Sequence, residues 1–246
     1  MRVRRTQGFT LLELIVVMGI IAILVAILIP ALASFRSMAR DSISISNLRK
    51  HGTVCAMYQH DWDGMLPYIT DPDATETIVR FDDGRPPRRL RYFYAWFGWS
   101  DALGPIYYSG YDDGTFSSPF EDRLRIGTHY WYSCSLICRP EYWDPAQRLA
   151  GRSQWRPVRG HEAVYPSQKA AFIDVTPFEF DEDEFERRPA RRVRFSFLDG
   201  SASSMDSFDV PAGYMAGDGD PTQSVHTGPG LPGLHTMKGI RGIDRP

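Results

Sequence analysis

Glu13 is the residue whose type and position most demand a chemical explanation. It is an acid at the head of the most apolar stretch of the chain, and from Leu14 to Ile29 no residue is charged. A carboxylate inside a membrane-length apolar segment costs at least a few kcal/mol, so it normally marks a partner or a function. Other chemistry-bearing groups are sparser. Cys134-x-x-x-Cys138, with His129 nearby, has the residue types of a zinc site, but no fourth ligand is evident. A local disulfide between Cys134 and Cys138, or two free thiols, is the simpler expectation. Asp61 and Asp63 lie beside a helix-ending Gly64, which explains them without a metal, and Asp218-Gly219-Asp220 has weak calcium-loop character. No Gly-x-Ser-x-Gly elbow, Walker loop or dinucleotide fingerprint occurs. The six histidines converge on no catalytic spacing, so no enzyme, catalytic residue or cofactor is expected.

The elements that must position Glu13 are legible. Met1–Gln7 is short and basic, with Arg2, Arg4 and Arg5 and no acid. Phe9–Ile29 would reach roughly 30 Å as a helix, the thickness of a bilayer core. The basic cluster ahead of it predicts a cytoplasmic N-terminus, with everything after the span translocated. Three kinds of segment fit this outline: a plain signal anchor, a signal peptide cut near Ala31-Leu32-Ala33, and a prepilin leader. Neither of the first two gains anything from Glu13.

Gly8-Phe9-Thr10-Leu11-Leu12-Glu13 resembles the processing motif of the type IV pilin family, including its pseudopilins. The resemblance implies cleavage after Gly8 by a prepilin peptidase, N-methylation of Phe9, and an assembly role for Glu13. It also implies other pilin or pseudopilin subunits, an inner-membrane assembly platform and membrane lipid as partners. The chain would be a single-pass inner-membrane protein with a periplasmic head, then part of an extracytoplasmic filament, either a type IV pilus or a type II secretion pseudopilus. Chemistry agrees with these roles: cutting before Phe9 creates a cationic amine, which offsets the cost of burying Glu13 of a neighbouring subunit. Pro30 corresponds to a family proline at which the helix kinks; alternatively it simply ends the helix.

After Pro30, residues 31–64 have helical periodicity. Leu32, Phe35, Met38, Ile45, Leu48 and Cys55 form a stripe expected to pack on a head domain. Asp63-Gly64 followed by Pro67 is a stop signal. The run from Asn47 to Pro67 is similar to large pseudopilin-like proteins of planctomycete-type bacteria. The predicted divisions are a leader (1–8), a transmembrane assembly helix (9–30), its amphipathic continuation (31–64), a pilin-like head (65–210) and an irregular or disordered tail (211–246).

Within the head, Gly and Pro breakers separate short aromatic or β-branched runs. Arg91–Phe97 and His129–Tyr132 fit strands or packed loops. Lys169–Val175 and Arg191–Leu198 are the best strand candidates, the second half-buried by alternation and joined through Asp199-Gly200 to Ser201–Met205. This order is also similar to those pseudopilin-like proteins, although many of them place His-Val where Ser201-Ala202 stands. The implied fold is α+β, a long N-terminal helix packed on a small antiparallel sheet with long loops. With 28 basic and 30 acidic residues, net charge −2, no nucleic-acid partner is expected. The competing reading is a membrane-anchored binding protein exported by the prepilin route without forming filaments. A secreted enzyme freed at Ser34 is a third.

Overall fold

The computed structural model describes residues 10–111, 113–121, 127–176, 178–180, 187–189, 192–211, 213, 233 and 235–245. Helix α1 runs from Leu11 to Asp61, and the chain divides into two compact units, Met1–Ser42 and Ile43–Pro246. In the first unit the described residues are all helical after Thr10 and none is buried. A segment this apolar and this uncovered satisfies its backbone internally, as a helix does in lipid. The helix continues through Pro30, which lacks the N–H that the carbonyl of Ala26 would otherwise receive.

In the second unit, the last five turns of α1 bury Ser44, Asn47, Leu48, His51, Gly52, Val54, Cys55 and Tyr58, a face at three- and four-residue spacing. The expected stripe is therefore only partly right. Leu48 and Cys55 belong to it, but Leu32, Phe35 and Met38 are exposed, and the covered face is half polar. The helix stops where Gly64 N–H reaches back to the Gln59 carbonyl at 2.7 Å, with Asp63 and Gly64 both in the left-handed region (φ 50° and 78°).

A four-stranded antiparallel sheet follows, in the order β3 (Tyr130–Tyr132), β4 (Ala170–Asp174), β7 (Arg192–Phe197), β8 (Ala202–Asp206). Trp131 pairs with Ile173, Ile173 with Phe195, and Val193 with Met205. β7 and β8 form the expected hairpin; Gly200 takes φ 83° and Asp199 accepts from Ser201 N–H at 2.9 Å. Two small hairpins accompany this sheet, β1 (Thr77–Val79) with β2 (Arg88–Leu90), and β5 (Phe178–Phe180) with β6 (Arg187–Pro189).

Two expectations are corrected here. β7 is not half-buried, because Arg194 and Ser196 are as covered as Val193, Phe195 and Phe197. The Arg194 guanidinium lies 4.0 Å over the Phe120 ring, and Ser196 sits beneath Gly52 of α1. On the opposite side, the Phe195 ring lies against Gly233. With both faces covered, alternation carries less information than it does in a half-solvated sheet. Second, Arg91–Phe97 is not a strand. A 3-10 turn over Tyr92–Tyr94 leads into helix α2 (Ala95–Tyr107), where tertiary burial of Trp96, Phe97 and Trp99 overrides aromatic β-propensity. The described end of the tail is irregular and packed. His235, Thr236, Ile240 and Asp244 are buried, and a 3-10 turn covers Gly239–Arg241. The fold is α+β, a long N-terminal helix with an antiparallel sheet, consistent with a pilin-like fold.

Candidate assembly segment

Helix α1 opens on a reciprocal cap. Thr10 Oγ1 accepts from Glu13 N–H at 3.2 Å, while the Glu13 carboxylate accepts from Thr10 N–H at 2.9 Å and from its hydroxyl at 2.8 Å. This Thr-x-x-Glu arrangement is a capping box, satisfying two amide donors that a helix start otherwise leaves open. The carboxylate also sits where the helix dipole favours negative charge. Sequence reasoning placed a role on Glu13 and missed that of Thr10, although the Thr-x-x-Glu spacing before an apolar run is itself a signal. Beyond this cap the helix presents Leu11, Leu12, Leu14, Ile15 and their successors, each more than two-fifths exposed through Leu32 where the side chain is large and apolar. By length and composition this stretch is long and apolar enough to cross a membrane, and none of it is buried.

The distal part of α1 is bolted to the head by polar groups, which sequence periodicity did not reveal. Ser44 donates to Asp174 at 2.6 Å; Asp174 also accepts from Ser118 Oγ at 3.0 Å and from the Thr176 hydroxyl at 2.7 Å. Asn47 Nδ2 donates to the Tyr130 hydroxyl at 3.1 Å, and Lys50 Nζ reaches both Asp113 oxygens at 3.1 and 3.0 Å. Burial works to raise the Asp113 carboxyl, but hydrogen bonds from Thr115, Ser109 and Lys50 outweigh it and hold the group well below the usual carboxylate range. His51 is enclosed by Trp99, Tyr108, Phe116, Tyr130 and Phe172. Its Nδ1 lies 2.8 Å from the Tyr108 hydroxyl and its Nε2 3.0 Å from the Thr115 carbonyl. A carbonyl can only accept, so Nε2 carries the proton in the neutral ring and Nδ1 accepts from Tyr108. Burial depresses the ring to about 3, against the opposing pull of the Thr115 carbonyl.

The remaining sequence candidates fall as follows. Gly8 and Phe9 lie outside the described residues, as do Asp218 and Asp220. Pro30 sits inside α1. Cys134 and Cys138 are not joined; both are free and buried, as is Cys55. Burial raises all three thiols, Cys55 to about 12, which suppresses the thiolate that disulfide formation needs. Among the described residues no group of three His, Cys, Asp or Glu side chains is placed to hold a metal ion.

Comparison with known proteins bears on the segment that Thr10 and Glu13 open. Residues 3–29 match the prokaryotic N-terminal methylation motif. The type IV wide pilus major component PilA4 of Thermus thermophilus is 45% identical over 58 residues, 24% of this chain and 44% of that protein. The chain thus spans less than half the length of this curated relative. No solved structure matches the chain. A long, uncovered apolar helix opened by this motif and followed by an antiparallel sheet is consistent with a type IV pilin-like protein. The likeness covers the N-terminal quarter of the chain, which carries the N-terminal methylation motif and is similar to that pilin.

Proposed function

We propose that the chain is a structural subunit of a type IV pilus-like or type II secretion pseudopilus filament. The observation that carries this reading is the uncovered apolar stretch from Leu11 to Pro30, whose sole acid, Glu13, is held at the first turn of the helix within the methylation motif. Prepilin peptidase removes residues 1–8 and Phe9 is N-methylated. The subunit waits in the inner membrane with its head outside the cytoplasm. It then enters the filament through its apolar helix, where the Phe9 amine of one subunit neutralises Glu13 of another. Pro30 lets the helix bend or locally open as subunits pack. The subunit's work is mechanical, and its partners are the peptidase, other subunits, the assembly platform and lipid.

Two measurements test this. Mass spectrometry of the native protein is expected to find methylated Phe9 as the mature N-terminus; Ser34 at that position would refute the prepilin reading. Glu13→Ala is expected to leave the subunit processed and in the membrane while reducing its recovery in sheared filaments at least tenfold. Incorporation at the wild-type level would favour the anchored binding protein instead.

A further inference from the structure

The buried cation Lys169 has no part in the assembly segment. It stands immediately before β4, fully enclosed, and its Nζ lies 2.8 Å from Oδ2 of Asp244, 75 residues further along the chain. The Asp244 side chain is 3% exposed. Four further hydrogen bonds order the pair. Thr236 Oγ1 is 2.5 Å from Lys169 Nζ and 2.5 Å from Asp244 Oδ1, so one hydroxyl bridges the nitrogen and one carboxyl oxygen. Ala170 N–H donates to the other oxygen, Oδ2, at 3.0 Å. Asp244 N–H donates to the Gln168 carbonyl at 2.8 Å, fixing the backbone on both sides of the contact.

We propose that Lys169 and Asp244 condense into an intramolecular isopeptide bond that ties the C-terminal segment to the sheet. The steps balance without any co-reactant. The Lys169 ammonium passes one proton through the Thr236 hydroxyl to Asp244 Oδ1, leaving a neutral amine beside a neutral carboxylic acid. The Nζ lone pair attacks Cγ, forming the Nζ–Cγ bond, and the negative charge develops on Oδ2, which faces the Ala170 N–H as an oxyanion faces its donor. A second proton relayed from Nζ through Thr236 reaches Oδ1. The Cγ–Oδ1 bond breaks, and Oδ1 departs as water with both protons. The product is one secondary amide and one water.

The surroundings favour this course. In a dry site an isolated ion pair loses the solvation that keeps it charged, which brings the amine and acid forms within reach. Burial indeed depresses the Lys169 ammonium, with Asp244 opposing it. Nζ already lies 2.8 Å from Oδ2 of the carboxyl it would attack, so little translational or rotational freedom remains to be lost. All three cysteines are free, so no disulfide cross-links this head. The inference does not rest on the filament reading, since it concerns the head alone.

The test is a tryptic peptide map of the full-length protein, digested after denaturation. With the bond formed, trypsin cannot cut at Lys169, and peptide 160–187 is recovered as the main species joined to peptide 242–246. Its mass is lower by one water than the sum of its two parts. Recovery of linear peptides 160–169 and 242–246 as the main species would overturn the proposal and leave a buried ion pair only. Lys169→Arg keeps the cation but not the amine, and its map is expected to lack the branched peptide. If that variant does not fold, the wild-type map still decides.

Discussion

His51 shows how a single enclosed side chain sets the behaviour of the head. It offers α1 an aromatic surface to fit among Trp99, Phe116 and Phe172, and two ring nitrogens that meet the Tyr108 hydroxyl and the Thr115 carbonyl. This arrangement accepts only the neutral ring. The folded pKa, about 3, lies below the ordinary 6.5, so the unfolded chain binds the proton more readily. The stability that neutral His51 permits is therefore complete above 6.5 and is lost as pH falls from 6.5 towards 3. Each unit of that interval is worth about 1.4 kcal/mol. Urea unfolding of the detergent-solubilised protein is expected to show stability falling by about 2–3 kcal/mol between neutrality and about pH 4.5. His51→Gln is expected to be less stable at neutral pH but to lose clearly less of its stability on acidification. An equal acid slope in the variant would place the sensitivity elsewhere.

At the scale of elements, the contact between α1 and the sheet depends on close approach at Gly52. A Cβ there would stand 3.5 Å from Gly200 Cα and 3.8 Å from Ser196 Cβ, which is ordinary van der Waals contact. Gly52→Ala should therefore fit, and replacing a mid-helix glycine stabilises by about 0.5–1 kcal/mol. Gly52→Leu has no such room and is expected to destabilise by about 1–3 kcal/mol through helix displacement. Thermal melts of the two variants, one shifted up and one down, check the contact; a downward shift in both would mean the approach is tighter than these distances. The same contact explains what was and was not legible in the sequence. The membrane half of α1, the Asp63-Gly64 stop and the β7–β8 hairpin announce themselves because each depends on local chemistry: hydropathy, positive φ, turn residues. The head-facing stripe does not, because Ser44, Asn47 and His51 are polar and become core only through Asp174, Tyr130 and Thr115, far away in the chain. α2 was hidden for a related reason, since its aromatics read locally as strand and only tertiary burial selects the helix. Lys169 and Asp244 are likewise an ordinary lysine and aspartate until the fold brings them together.

At the scale of the molecule, apolar residues serve two separate purposes. In Ile43–Pro246 they form a continuous core running from Leu48 through Trp99, Phe172 and Phe195 to Ile240, all nearly or fully buried. In residues 11–42 none is buried, so that segment adds exposed apolar surface and nothing to this core. Such a surface is compatible with water only when lipid or other subunits cover it. Burial in α1 begins at Ser44, and its polar anchors, from Ser44 to His51, all lie in the second unit. A chain beginning at Ile43 keeps every one of them and sheds the apolar helix. It is expected to be soluble without detergent and to unfold in urea as a single cooperative transition. A chain beginning at Trp62 lacks Leu48, His51 and Cys55 as well as the Lys50 partner of Asp113, and is expected to lose that transition. Circular dichroism during urea titration distinguishes the two. A cooperative transition in the shorter chain would show that the head closes its core without α1, and aggregation of the longer one would show that residues 11–42 are needed for the head to fold.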